Sequence, residues 1–219
     1  MIVFMVCAWA YESSGDITTI CFAVMDVGGK ACVTDQKVVD DKEAMGERLA
    51  QANISVPEGA PEIIHFNAPA WCTNGAPWLL YTNVVGTPFQ ALTSQAQQIM
   101  DAIVAEGHTL SEGIWCIYVP KLEIPFMGSP VDIAGYAVDD TLFKQSADAG
   151  YLNNCFISAT KNAESPFVLV HEVLHIWGLE HVQEGWNLMQ ENETSPNKNS
   201  TGTKRLTKDQ INTIRKKFE

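Results

Sequence analysis

Three histidines and a glutamate stand at a spacing that suits metal chemistry. Between positions 171 and 181 the chain reads His171-Glu172-Val173-Leu174-His175-Ile176-Trp177-Gly178-Leu179-Glu180-His181. Side chains four apart on a helix lie one above the other, so His171 and His175 present two imidazoles to one point from a rigid backbone. A catalytic zinc ion takes three protein ligands and keeps a fourth position for water, which calls for a third donor close by. Gly178 supplies the means: glycine reaches positive φ where a helix ends, and the turn brings His181 back toward the metal. Glu172 points beside the site, which suits a general base. With five histidines and fifteen glycines in 219 residues, the pattern H-E-x-x-H-x-x-G-x-x-H arises by chance with a probability on the order of 10⁻⁵.

The alternative is a set of ordinary core histidines, and burial weighs against it. Ser165-Pro166 opens the helix as N-cap and first-turn proline. Residues 167–178 are apolar nearly all round except at the motif positions, so the helix is expected to be buried. Two histidines and a glutamate there are costly without a strong common partner, and a divalent cation is that partner.

The signature resembles that of the metzincin clan of zinc peptidases. A second match is independent of the first: Trp186-Asn187-Leu188-Met189 follows with seven residues between His181 and Met189, a spacing similar to the methionine turn of matrix metalloproteinases. The resemblance implies that Zn2+ is the cofactor, that Met189 is a structural floor beneath it, and that the activity is endopeptidase hydrolysis of a protein or peptide. It further implies an extended substrate along an edge strand around residues 133–138, with the side chain after the cut in a pocket walled by the loop 181–189. The chain also departs from the clan's families. The segment 125–135 resembles the matrix metalloproteinase loop that binds structural zinc and calcium, but Met127 and Gly135 occupy ligand positions, so no structural metal is expected there. Val182 stands where a small hydroxyl residue is usual, and no tyrosine lies two places after Met189. The chain is therefore expected in the clan but in none of its well-known families.

The elements that must position this site read as α+β. After Pro77 the order is strand (79–85), helix (96–104, ended by Gly107), strands (114–119, 133–138, 155–159), the motif helix and a final helix. The last has a capping box, Thr207 with Gln210, and a staple, Leu206 with Ile211. Residues 78–219 thus form the metzincin-like catalytic domain implied by the resemblance, a mixed sheet with an active-site helix and a C-terminal helix. Residues 1–77 read as a β-rich N-terminal region, with strands at 2–10, 17–26, 31–39 and 63–66 and a short helix at 41–52. That region has two readings. Cys72 could cap the zinc as a latency ligand, although no arginine and aspartate flank it; or the region packs against the catalytic sheet with Cys72 buried or disulfide-bonded.

Composition excludes some partners. The chain carries 26 acidic and 14 basic residues, and half of the basic ones fall between Lys198 and Lys217, which leaves residues 1–197 strongly acidic. Nucleic acid is not expected, since phosphate contacts need clustered Lys and Arg. No apolar run is long enough to span a bilayer, and a monomer is expected. The apolar start, residues 2–10, reads as a buried strand or as a degenerate export signal; location is open, with secretion or delivery outside the producing cell favoured. The six cysteines allow disulfides or buried thiols. Two other functions compete: a zinc-stabilised binding module without turnover, and an amidase or toxin acting on a specialised target.

Overall fold

The computed structural model describes residues 15–16, 19–73, 78–111, 113–159, 165–184, 186–190 and 204–218. The strand expected at 2–10 lies outside them. In chain order the elements are β1 (Gly15–Asp16), β2 (Ile20–Val27), β3 (Lys30–Ala31), α1 (Asp35–Leu49), β4 (Ile54–Ser55), β5 (Ile63–Asn67), β6 (Tyr81–Asn83), β7 (Gln90–Leu92), α2 (Ser94–Ala105), β8 (Ile114–Val119), β9 (Glu123–Phe126), β10 (Ser129–Asp132), β11 (Gly135–Val138), β12 (Asn154–Ser158), α3 (Val168–Ile176) and α4 (Lys208–Arg215).

A six-stranded mixed sheet organises them, in the order β11-β12-β8-β2-β3, with β5 also paired to β2. Strands β12, β8, β2 and β5 run parallel, while β11 and β3 are antiparallel to their neighbours. Every residue of β8 is buried, as its unbroken apolar run requires of a strand covered on both faces. The strand alternation splits the core in two. Phe22, Val24, Cys116, Tyr118, Cys155 and Ile157 face α1 and α3. Ala23, Met25, Trp115, Ile117, Val119 and Phe156 face α2 through Ile99, Met100 and Ile103. Residues before and after position 77 therefore share one sheet and both halves of the core. The five described cysteines form no disulfide with one another, and Cys116 faces Cys155 across β8 and β12.

The strand expected at 31–39 is a correction. Only Lys30–Ala31 is extended, and α1 begins at Asp35, six positions before the expected helix start. Thr34 is the reason: its hydroxyl accepts from Lys37 N at 3.2 Å and caps the helix. Val38, Met45 and Leu49 then bury one helical face, so capping and packing override the β-propensity of Val38-Val39.

His65 ties β5 to two neighbours. Its Nδ1 lies 3.1 Å from Asp26 of β2 and its Nε2 3.1 Å from Asp35 at the start of α1. The hydrogen bond to Asp26, with that to Asp35, raises its pKa above the ordinary value against a smaller opposing effect of burial. Because the folded value is raised, this contribution to stability is fully present below the unfolded value of about 6.5 and is lost as pH rises through the folded value. Melting curves of wild type and His65→Gln should differ most below about pH 6 and converge at alkaline pH; a constant gap would contradict the pairing.

Candidate metal centre and cleft

Helix α3 crosses β11 and β12 and packs on α1. Ser165 Oγ accepts from Phe167 N at 3.3 Å just before the helix, and Leu169, Val170, Val173 and Leu174 are fully buried. The helix ends on Gly178 at φ +87°. Gly178 N donates to His175 O at 2.8 Å and Leu179 N to Leu174 O at 3.1 Å, the paired closure that a left-handed residue after a helix allows. The chain thus doubles back, as the glycine implied.

The turn brings the three histidines together. Their Nε2 atoms form a triangle with edges of 3.1 Å (His171 to His181), 3.1 Å (His171 to His175) and 3.0 Å (His175 to His181). Among the described residues they are the one group of His, Cys, Asp and Glu side chains arranged to hold a metal ion. Two of the other ring nitrogens face backbone carbonyls: His171 Nδ1 lies 2.8 Å from Leu188 O, and His175 Nδ1 2.7 Å from Leu179 O. A carbonyl only accepts, so both Nδ1 atoms carry the proton, and both Nε2 atoms present bare lone pairs to each other. Burial lowers the pKa of His171 to about 4 and that of His175 to about 3, so protonation does not relieve that contact at neutral pH. A cation does. An ion about 2.0–2.1 Å from each nitrogen fits above this triangle, which is the zinc–imidazole distance.

The turn at residues 186–189 meets the histidines where Leu188 O faces His171 Nδ1. Met189 is fully buried, its N–H donates to Asn187 Oδ1 at 2.8 Å, and its carbonyl accepts from Val182 N at 2.8 Å. Asn187 and Gln210 form a reciprocal amide pair at 2.9 and 3.3 Å, while Gln210 also closes the capping box of α4. The final helix therefore props the turn whose Leu188 carbonyl orients His171. Sequence reading finds the capping box but not this link, because no local pattern joins positions 187 and 210.

Glu172 is buried beside the histidines, and Gly135 at the start of β11 makes room for it. A Cβ on Gly135 would stand 2.7 Å from both Cγ and Oε1 of Glu172 and 2.8 Å from Val168 Cγ1. Gly135 is thus a site residue for steric reasons, and its sequence neighbours give no sign of it. Gly135→Ala is expected to cost about 1–3 kcal/mol of stability by overpacking and to displace Glu172. Melting curves check this: a variant that melts with wild type would show that the carboxylate position is not constrained there.

The histidines and Glu172 open into a cleft of about 620 Å³ whose lining includes residues 131–137 together with Leu179, Glu180 and Gln190. Strand β11 borders it as a free sheet edge among the described residues, with β12 on its other side. Asp139 fixes the segment after β11 by accepting from Thr141 N at 2.7 Å and Leu142 N at 3.3 Å. Cys72 is elsewhere. It packs with the core on the α2 side of the sheet, whereas α3 with His171 and His175 packs on the opposite face. The latency reading of Cys72 is set aside on that ground.

Fold and site together define a mixed-sheet domain in which a buried helix and the turn after it bring together three histidines that could hold a metal ion, at an open cleft. No protein-family model and no curated protein matches the sequence. Among solved structures the chain is similar to metalloproteinase-II from Bacteroides fragilis, with a TM-score of 0.51 and 14% identity over 93% of this chain and 54% of that one. It shares that protein's fold and spans about half of its length. It is also similar to Archaemetzincin from Methanopyrus kandleri, with a TM-score of 0.48 and 14% identity over 90% of this chain and 93% of that one. A zinc-dependent peptidase from Methanocorpusculum labreanum gives a TM-score of 0.43 and 13% identity over 90% of this chain and 100% of that one. Among the described residues no helix is long and apolar enough to cross a membrane.

Proposed function

We propose that the chain is a zinc-dependent endopeptidase of the metzincin type, with His171, His175 and His181 as metal ligands and Glu172 as general base. The observation that carries the reading is the triangle of Nε2 atoms beside a buried carboxylate. Zinc held there supplies a Lewis acid and makes water a nucleophile at neutral pH.

The chain's own groups do the rest. Leu188 and Leu179 carbonyls hold two imidazoles in the tautomer that leaves Nε2 free. Glu172 takes the proton from the attacking water as the carbonyl carbon becomes tetrahedral, and passes it to the amine as the C–N bond breaks. The free edge of β11 offers backbone N–H and C=O groups to an extended polypeptide, which favours binding the middle of a chain over its end. The binding-module alternative has no use for Gly135, whose missing Cβ admits the carboxylate to its place. A proteome-derived peptide library tests the proposal: zinc-loaded wild type should generate new termini that Glu172→Ala does not. A zinc-loaded wild type that cuts no peptide would overturn it and leave the module or a specialised amidase.

A further inference from the structure

We infer that the uncharged apolar hairpin tip at Phe126 and Met127 is a secondary docking ridge for the polypeptide substrate. The inference rests on the peptidase reading above. Strands β9 and β10 form a two-stranded ribbon in which Phe126 pairs with Ser129, so Met127 and Gly128 are the two turn residues. Both have positive φ, +47° and +82°, the conformation of the tight turn that favours Asn-Gly or Asp-Gly. Methionine is a poor choice there twice over. It adopts a backbone conformation that L side chains rarely take, and it stands 93% exposed beside Phe126 at 57%.

An asparagine would remove both penalties, and among the described residues little packs on the 93% exposed Met127 to repay them. A strained apolar residue at an exposed tip points to an external partner. The neighbouring hairpin extends the surface. Leu79 bridges to Glu123 in parallel, so β6 and β9 run in the same direction, and the β6–β7 turn ends on Val85, 98% exposed. No Asp, Glu, Lys, Arg or His occurs in residues 84–92 or 124–131.

The occupant is the substrate because the ridge continues the cleft. Ile124, Val131, Asp132 and Ile133 of the same hairpin and its exit line that cleft, and β11 follows directly. Gly128 and Gly135 are seven positions apart, so at about 3.4 Å per residue the tip is at most about 24 Å from the strand beside Glu172. An extended polypeptide covers that span in about seven residues. The ridge therefore meets an apolar stretch of substrate within that distance of the scissile bond.

The test uses three synthetic peptides built on one sequence that the enzyme cuts: a core of about eight residues, a version of about twenty extended with leucines, and one extended with serines. Wild type should cut the leucine-extended peptide about tenfold better in kcat/KM than the other two, through KM. Phe126→Thr with Met127→Asn should abolish that preference while cutting the core peptide at the wild-type rate. The single variant Met127→Asn, which suits the turn, serves if the double variant misfolds, and should lower the preference. Equal rates on all three peptides with wild type, or an unchanged preference in the variants, would overturn the inference. So would binding to phosphatidylcholine vesicles that the variants lose while their peptide preference persists, since the tip would then serve a lipid surface. A wild type that cuts no peptide removes the peptidase reading first and this one with it.

Discussion

Glu172→Gln is expected to keep its zinc and its fold and to lose at least ~10²-fold in kcat/KM, because general-base assistance is typically worth 10² to 10⁴. The substitution conserves shape, and shape matters here: the side chain is buried between α3 and the backbone of Gly135. Glutamine fills that space and retains hydrogen-bonding capacity, but it cannot accept the water's proton. Elemental analysis and a melting curve matching wild type would show that only the proton transfer is gone. A variant that cuts at the wild-type rate would remove Glu172 from the mechanism, while loss of zinc would give it a structural role instead.

His175→Ala should take the chain from about one zinc to near none, with activity lost in step. The triangle explains why two ligands do not suffice. His171 and His181 would remain 3.1 Å apart, but the ion would lose a third of its protein donors, and even partners outside the ligand shell typically cost 10–100-fold in metal affinity when removed. The fold should survive, since the buried side of α3 is built from Leu169, Val170, Val173 and Leu174, and His175 lies half-buried at the cleft. Melting without metal should therefore match that of metal-stripped wild type. Retention of a full zinc by this variant would place the metal elsewhere.

The parts of the site legible in the sequence are those fixed by local rules. The spacing of His171 and His175 on α3, the glycine that ends it and the return of His181 all follow from helix geometry, and the structure shows each of them. The start of α1 is also local, yet the apolar run 31–33 masks it, since Thr34 acts as a cap only once Val38, Met45 and Leu49 find a face to bury. The β9–β10 hairpin is hidden for another reason. Pro125 and Pro130 argue against strands, and they are tolerated because both strands of a two-stranded ribbon have an edge where a missing N–H costs nothing. Three features depend on tertiary contact alone: β2 lying between β5 and β8, Gly135 against Glu172, and Asn187 paired with Gln210. None leaves a periodic or compositional trace.

Stepwise removal of metal, with zinc and peptide cleavage measured on the same samples, tests the three-histidine site most directly. Purified protein should hold about one zinc per chain. Activity should fall in proportion to zinc removed and return when zinc is restored. Fully active protein without metal would contradict the assignment of His171, His175 and His181 as the catalytic metal site.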